Sequence, residues 1–215
     1  MLRGIGAALL FPLIAQAVDM DSQLIRVEHF RAWFSASFLA ESLEASIHRA
    51  ATSAGQLSPG LVSLVLAIDL EEPSPSRDAH ASHCTPDLSL IVGDFGLMLS
   101  TEPDRYTVAL EFRIDNNKEH KMPGRIHTDF RSDFLFITFA NQETEKFIQE
   151  LIYGEQAKIK ISIGLREYFA QLSLAGSDKI IRRTFSVCDA FANARQKALD
   201  GTDFDEFLRD YLPPD

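Results

Sequence analysis

From Arg105 to Asp115 the chain alternates: Tyr106, Val108, Leu110, Phe112 and Ile114 point one way, while Thr107, Glu111, Arg113 and Asp115 point the other. Successive side chains of a β-strand project to opposite faces, so this pattern predicts a strand buried on one face and wetted on the other. A doubly wound parallel sheet needs strands that are apolar on both faces, whereas an antiparallel sheet accommodates one solvated side. The alternation returns at Lys158-Ile-Lys-Ile-Ser-Ile163, and again where Tyr168, Ala170, Leu172 and Leu174 are set against Phe169, Gln171 and Ser173. Much of the chain must therefore form a half-exposed sheet over one core.

Residues 61–70 (LVSLVLAIDL), 87–92 (DLSLIV), 125–129 and 134–139 (FLFITF) read as further strands, separated by the Pro/Ser-rich EEPSPSRDAHASH and the Gly93-Asp94-Phe95-Gly96 turn. Residues 22–34, with β-branched and aromatic side chains, start as a strand. Residues 37–54 instead place Phe38, Leu39, Leu43, Ile47 and Ala50/Ala51 at three-and-four spacing, which predicts a helix capped by Ser35 or Ser37. Another helix is expected from an Asn141 N-cap to Gly154, with Phe147, Ile148, Leu151 and Ile152 as its apolar stripe. Ser177 opens the last long helix, in which Ile181, Phe185, Cys188 and Ala192 share a face, and residues 203–211 add a short helical tail. Runs of strands with segregated helices make an α+β fold: a mainly antiparallel sheet or sandwich-like meander with two principal helices and one disulfide.

Met1 to Ala17 has the three parts of a secretory signal peptide: Arg3, the apolar stretch from Ile5 to Ile14, and Ala15-Gln16-Ala17 as the cleavage pattern. The stretch is far shorter than the roughly 20 apolar residues of a transmembrane helix, so no membrane anchor is expected. The organisation read from the sequence is a signal peptide at 1–17, a strand/helix extension at 18–60, an α+β secreted domain at 61–191 and a helical tail at 192–215. Periplasm or secretion is the expected location. The chain carries net charge −10, and cleavage after Ala17 removes one positive charge, Arg3. Such acidity argues against nucleic-acid binding. In an oxidising compartment Cys84 and Cys188 are expected to be bonded to each other, closing a loop of ~100 residues that contributes at most about 4–5 kcal/mol on the chain-entropy model.

His80-Ala-Ser-His83-Cys84 brings two imidazoles and a thiol within five residues, and His120 or His127 would have to complete a zinc site. The spacing matches no standard zinc signature, and a disulfide removes Cys84 as a ligand. The segment reads as solvated histidines beside a bridge, and His80 and His83 are weak metal candidates. No cofactor is expected, because no Gly-rich phosphate loop follows any strand. Cys188 on an apolar helix face lacks the electropositive, partly exposed setting of a reactive thiolate. Asp94, Glu102, Glu111, Asp115 and Asp129 are the carboxylates from which a glycosidase-type pair would have to come. Asp200, Asp203 and Asp205 lack the glycine and closing glutamate of a calcium loop. Arg113 and Asp115, both on the outer face of the alternating strand, are read either as a structural pair or as a small recognition patch.

The order of features from Leu61–Leu70, through Cys84, Leu88-Ser-Leu90, Arg113-Ile-Asp115, Phe134-Leu-Phe136 and the Phe147/Leu151 helix, to Phe169–Gly176, Ile180-Ile181 and Cys188, resembles the periplasmic TagO/VasI proteins associated with type VI secretion. It is more distantly similar to the invasion-associated locus B proteins. Trp33 is similar to a tryptophan that opens that domain, whereas residues 34–59 and the tail after Phe191 depart from the pattern. The resemblance implies a disulfide pairing, an exported location and a non-enzymatic accessory role with a protein partner. Two further readings stand beside it. One is an acidic inhibitor or immunity-type protein that binds a cationic envelope enzyme, and the other is a carboxylate- or metal-dependent hydrolase.

Overall fold

The computed structural model describes residues 22–40, 46–59, 61, 63–72, 84–93, 108–128, 134–139, 143–199 and 207. The signal segment, His80, His83 and most of the tail lie outside the described residues.

The alternation at Arg105–Asp115 becomes a strand, Val108–Ile114, whose inward residues Val108, Leu110, Phe112 and Ile114 are all buried. Among the described residues it is the sixth of ten strands: β1 Ser22–Phe30, β2 Trp33–Ala40, β3 Ser46–Leu57, β4 Ser63–Glu71, β5 Thr85–Gly93, β6 Val108–Ile114, β7 His120–Thr128, β8 Phe134–Phe139, β9 Gln156–Ile163 and β10 Arg166–Ser173. Among the described residues they are accompanied by the helices α1 Thr144–Tyr153 and α2 Ser177–Leu199. Every pairing among these strands is antiparallel.

The sheet closes on itself, which is more specific than a sandwich or meander. The strand order runs β3-β10-β9-β6-β7-β8-β5-β4, and β4 pairs back to β3, giving an eight-stranded barrel. Closure depends on the length of β3. Its first part, Ser46–Thr52, lies between β2 and β4, while Ala54, Gln56 and Leu57 are taken up by β10. β2 and β10 thus share one edge of β3 in succession, and the β1–β2 hairpin continues the sheet outside the ring. The boundary read at residue 60 falls between β3 and β4, which are in register from Ile47–Glu71 to Ser53–Val65.

The helix expected over 37–54 is not formed: the described parts of this segment belong to β2 and β3. Three-and-four spacing favoured the helix, but β2 is buried on both faces from Trp33 to Leu39, so no period-two signal survives. Ser35 and Ser37 are not caps. They face α2, where Ser35 Oγ accepts from Thr184 Oγ1 at 3.0 Å and Ser37 bonds His48 at 3.0 Å.

The barrel is filled by side chains from all eight staves, among them Leu66, Leu90, Leu110, Phe112, Ile137, Ile159, Ile161 and Leu172. α1 covers the end where β6 and β8 finish. Its Phe147 meets Phe112 edge-on at 5.3 Å and Phe139 at 6.5 Å, and full burial of such a side chain contributes about 2–3 kcal/mol. The helix begins at Thr144 after Glu143, without a side-chain cap, and Gly154 ends it as expected; Asn141 lies outside the described residues.

α2 lies against β1–β4. Its buried Cys188 is disulfide-bonded to Cys84, just before β5, with Cα atoms 6.3 Å apart. Gly176 enters α2 at φ +95°, and a Cβ there would sit 2.7 Å from the Phe30 carbonyl oxygen, so this turn requires glycine. On the sheet face opposite α2, Phe34, Ala36, Phe38, Ala51, Val65, Ala67 and Ile91 form a second apolar cluster.

Candidate functional site

The outer faces of β6, β9, β10 and β3 carry aligned polar side chains. Direct cross-strand register places Arg113 opposite Lys158, Lys158 opposite Gln171, and Gln171 opposite Gln56. One step along, Glu111 opposes Lys160 and Lys160 opposes Phe169. Phe169 is held to the chain after β3 by Ser58, whose N–H donates to the Phe169 carbonyl at 2.8 Å and whose Oγ accepts from the Phe169 N–H at 3.0 Å. Together these residues line an open groove of about 460 Å³. Phe169 is a large apolar side chain left 51% exposed on this wall.

The groove's charges are unevenly satisfied. Lys160 bonds Glu167 at 2.7 Å and lies 3.9 Å from Glu111, and these carboxylates, Glu167 first, hold its pKa above the usual lysine value. Arg113 is more than half exposed and only loosely approached by Glu119, at 3.9 Å. Lys158, directly beside Arg113, has no ion-pair partner among the described residues. Two like charges face each other across neighbouring strands, an arrangement that costs stability unless something anionic bridges them.

The sequence grouped Arg113 with Asp115, but the two serve different ends. Asp115 follows the last residue of β6 with φ 49°, and its carboxylate accepts the backbone N–H groups of Glu155 and Gln156 at 3.0 and 2.9 Å. It ties the β6 end to the β9 start, while Arg113 remains on the wall.

The remaining candidates are dispersed. Glu111 lines the groove; Asp94, Glu102 and Asp129 lie outside the described residues. His120 bonds Glu150 at 3.0 Å and stacks edge-on with Phe147, whereas His127 bonds Thr138 at 2.9 Å. Among the described residues no three potential ligands converge as a metal site.

Two arrangements escaped the sequence reading. His48 is fully buried beneath α2, with Ser46 Oγ 2.8 Å from its Nε2 and Ser37 Oγ 3.0 Å from its Nδ1. Glu72 joins this cluster through Ser46 and accepts from Arg195 at 2.6 Å. The Ser, His and Glu side chains resemble catalytic chemistry in type, but Phe191 packs on the imidazole at 4.7 Å and no substrate can reach it. The second is a carboxylate pair on the opposite wall: Asp69 faces Asp87 across β4 and β5. Burial, then the nearby Asp69 charge, pushes the Asp87 carboxyl above its ordinary range, partly offset by the Leu88 N–H at 3.0 Å. Both arrangements depend on strand pairing and leave no local sequence signal.

No family model matches this chain, and neither does any curated protein or solved structure.

Proposed function

We propose that the protein is an exported, non-enzymatic interaction module that recognises a partner through the outer wall of β3, β10, β9 and β6. The observation that carries this reading is the groove around Arg113, Lys158 and Phe169, where the loosely paired Arg113 and Lys158, which has no ion-pair partner among the described residues, adjoin an exposed aromatic ring on the sheet. Rigid strands present such groups without the ordering cost a loop would incur. The signal-like N-terminus and the Cys84–Cys188 pair support an oxidising compartment, and the resemblance to TagO/VasI proteins supports an accessory role near a secretion system. A carboxylate hydrolase built on Asp69 and Asp87 is disfavoured because Asp69 gives both oxygens to Arg49, at 2.6 and 2.8 Å. The acidic surface favours a second reading, inhibition of a cationic envelope enzyme, in which contact would fall on the Asp69–Asp87 wall.

The test is photocrosslinking in intact bacterial cells of the natural source, with benzoylphenylalanine in place of Phe169 or, as control, Tyr153. A discrete adduct at 169 and not at 153, on a chain whose N-terminus is Val18, supports the proposal. A cytoplasmic unprocessed chain, no adduct at 169, or equal labelling at both positions overturns it.

A further inference from the structure

We propose that the groove binds an extended peptide segment carrying one carboxylate and, two positions along, an apolar side chain. The carboxylate lies between Arg113 and Lys158, and the apolar group lies on Phe169. This deepens the reading of that wall as a recognition surface and rests on it.

Three observations select this ligand. The first is the adjoining cations: Arg113 and Lys158 are in direct register, Lys158 has no ion-pair partner among the described residues, and Arg113 has a long contact, 3.9 Å, with Glu119, which also pairs with Lys121 at 3.5 Å. A carboxylate placed between them receives charge-assisted hydrogen bonds from both, and the arginine fork matches its geometry. The second is spacing. Lys160 opposes Phe169, so Lys158 is the diagonal neighbour of Phe169, and diagonal neighbours on a sheet are ~7–8 Å apart. Side chains two positions apart in an extended peptide point the same way, with a separation of about 7 Å. The third is the continuation of the row through the amides of Gln171 and Gln56, which can donate to and accept from the peptide backbone.

The surrounding charges set the ligand's limits. Glu119 lies 3.9 Å from Arg113, and Glu111 and Glu167 stand one register step along, around Lys160, so a dense polyanion, such as a nucleic acid or a polyglutamate run, would meet repulsion along the groove. One carboxylate fits where many do not.

The experiment uses the full mature chain, disulfide intact, and fluorescence anisotropy. The probe is the fluorescein-labelled peptide Gly-Ser-Glu-Ser-Leu-Ser-Gly-amide, with versions carrying Gln for Glu or Ser for Leu. Saturable binding is expected for the parent peptide, at least tenfold weaker binding for each altered peptide, and at least tenfold weaker binding to Lys158→Glu protein of unchanged melting temperature. Lys158→Arg should stay within about threefold of the unsubstituted protein, and 1 M salt, where the Debye length is ~3 Å, should weaken binding severalfold. Equal binding of the Glu and Gln peptides, no effect of Lys158→Glu, or tighter binding of polyglutamate would each overturn the proposal. An adduct at position 169 without peptide binding leaves the recognition surface standing and removes only this ligand chemistry.

Discussion

Arg49 grips Asp69 with two hydrogen bonds, Nε to one carboxylate oxygen at 2.6 Å and a terminal nitrogen to the other at 2.8 Å. Arg49 is 3% exposed, so this pair is desolvated on the cation's side. Arg49→Leu leaves Asp69 without that partner and directly opposite Asp87, and breaking a buried pair in this way costs about 3–5 kcal/mol. Replacing both residues by leucine should recover most of the loss. Urea unfolding of the two single variants and the double variant checks this; a double variant as unstable as Arg49→Leu would contradict it.

Asp87 supplies a pH prediction. Because burial raises its carboxyl in the folded state, the folded protein holds that proton more tightly than the unfolded chain does. Its contribution to stability is fully present below the unfolded value near 3.8 and is lost as pH rises through the folded value. Asp87→Asn keeps an acceptor for the Leu88 N–H and cannot ionise, so it should stabilise at pH 7 by a few tenths of a kcal/mol, with solvent screening limiting the gain. Thermal melts at pH 7 and pH 3 test the sign: the advantage should disappear at the lower pH.

Asp115→Ala removes the acceptor for two backbone N–H groups and leaves a non-glycine residue at φ 49°. The expected loss is about 1–2 kcal/mol. Asp115→Asn should lose less, since asparagine retains an oxygen and tolerates the left-handed region. Peptide binding in the groove should survive in both. A change in binding with unaltered urea midpoint would return Asp115 to the recognition surface.

The two cysteines report on docking of the last helix. Reduction, or Cys84→Ala with Cys188→Ala, should lower the urea midpoint by the equivalent of at most about 4–5 kcal/mol. Both sulfurs are buried, at 5% and 0% exposure for the two residues, so the native protein should resist reductant until it opens. Alkylation followed by intact-mass measurement in native buffer and in urea checks this. Rapid native labelling would contradict it.

The legible strands are those with one wet face. In β6, β9 and β10 the inward positions are aliphatic or aromatic and most outward positions charged or polar, so local order alone yields the buried face. β2 and β3 were illegible because Phe34, Ala36 and Phe38 are buried on one side while Trp33, Ser35 and Ser37 are buried on the other. Closure was illegible for another reason: it needs Gln56 to meet Gln171, a contact that neither segment encodes alone. At the candidate site, alternation placed Arg113 on the outer face, but its partners Lys158, Gln171 and Gln56 come from three other strands. Asp115 continued the alternation by one residue and so was read as strand, although its carboxylate accepts the backbone N–H groups at the start of β9.

The shared edge of β3 has a consequence for self-association. Closure leaves no stave of the ring with a full unpaired edge, so among the described strands the sheet can add a further strand chiefly at β1. That edge is blunted in two ways: its register slips between Leu24 and Arg26, and Glu28 is engaged by Arg26 at 2.8 Å and by Arg183 of α2 at 3.4 Å. An irregular, charge-bearing edge is a poor template for edge-to-edge growth. The hairpin that extends the barrel therefore also guards it against templated aggregation.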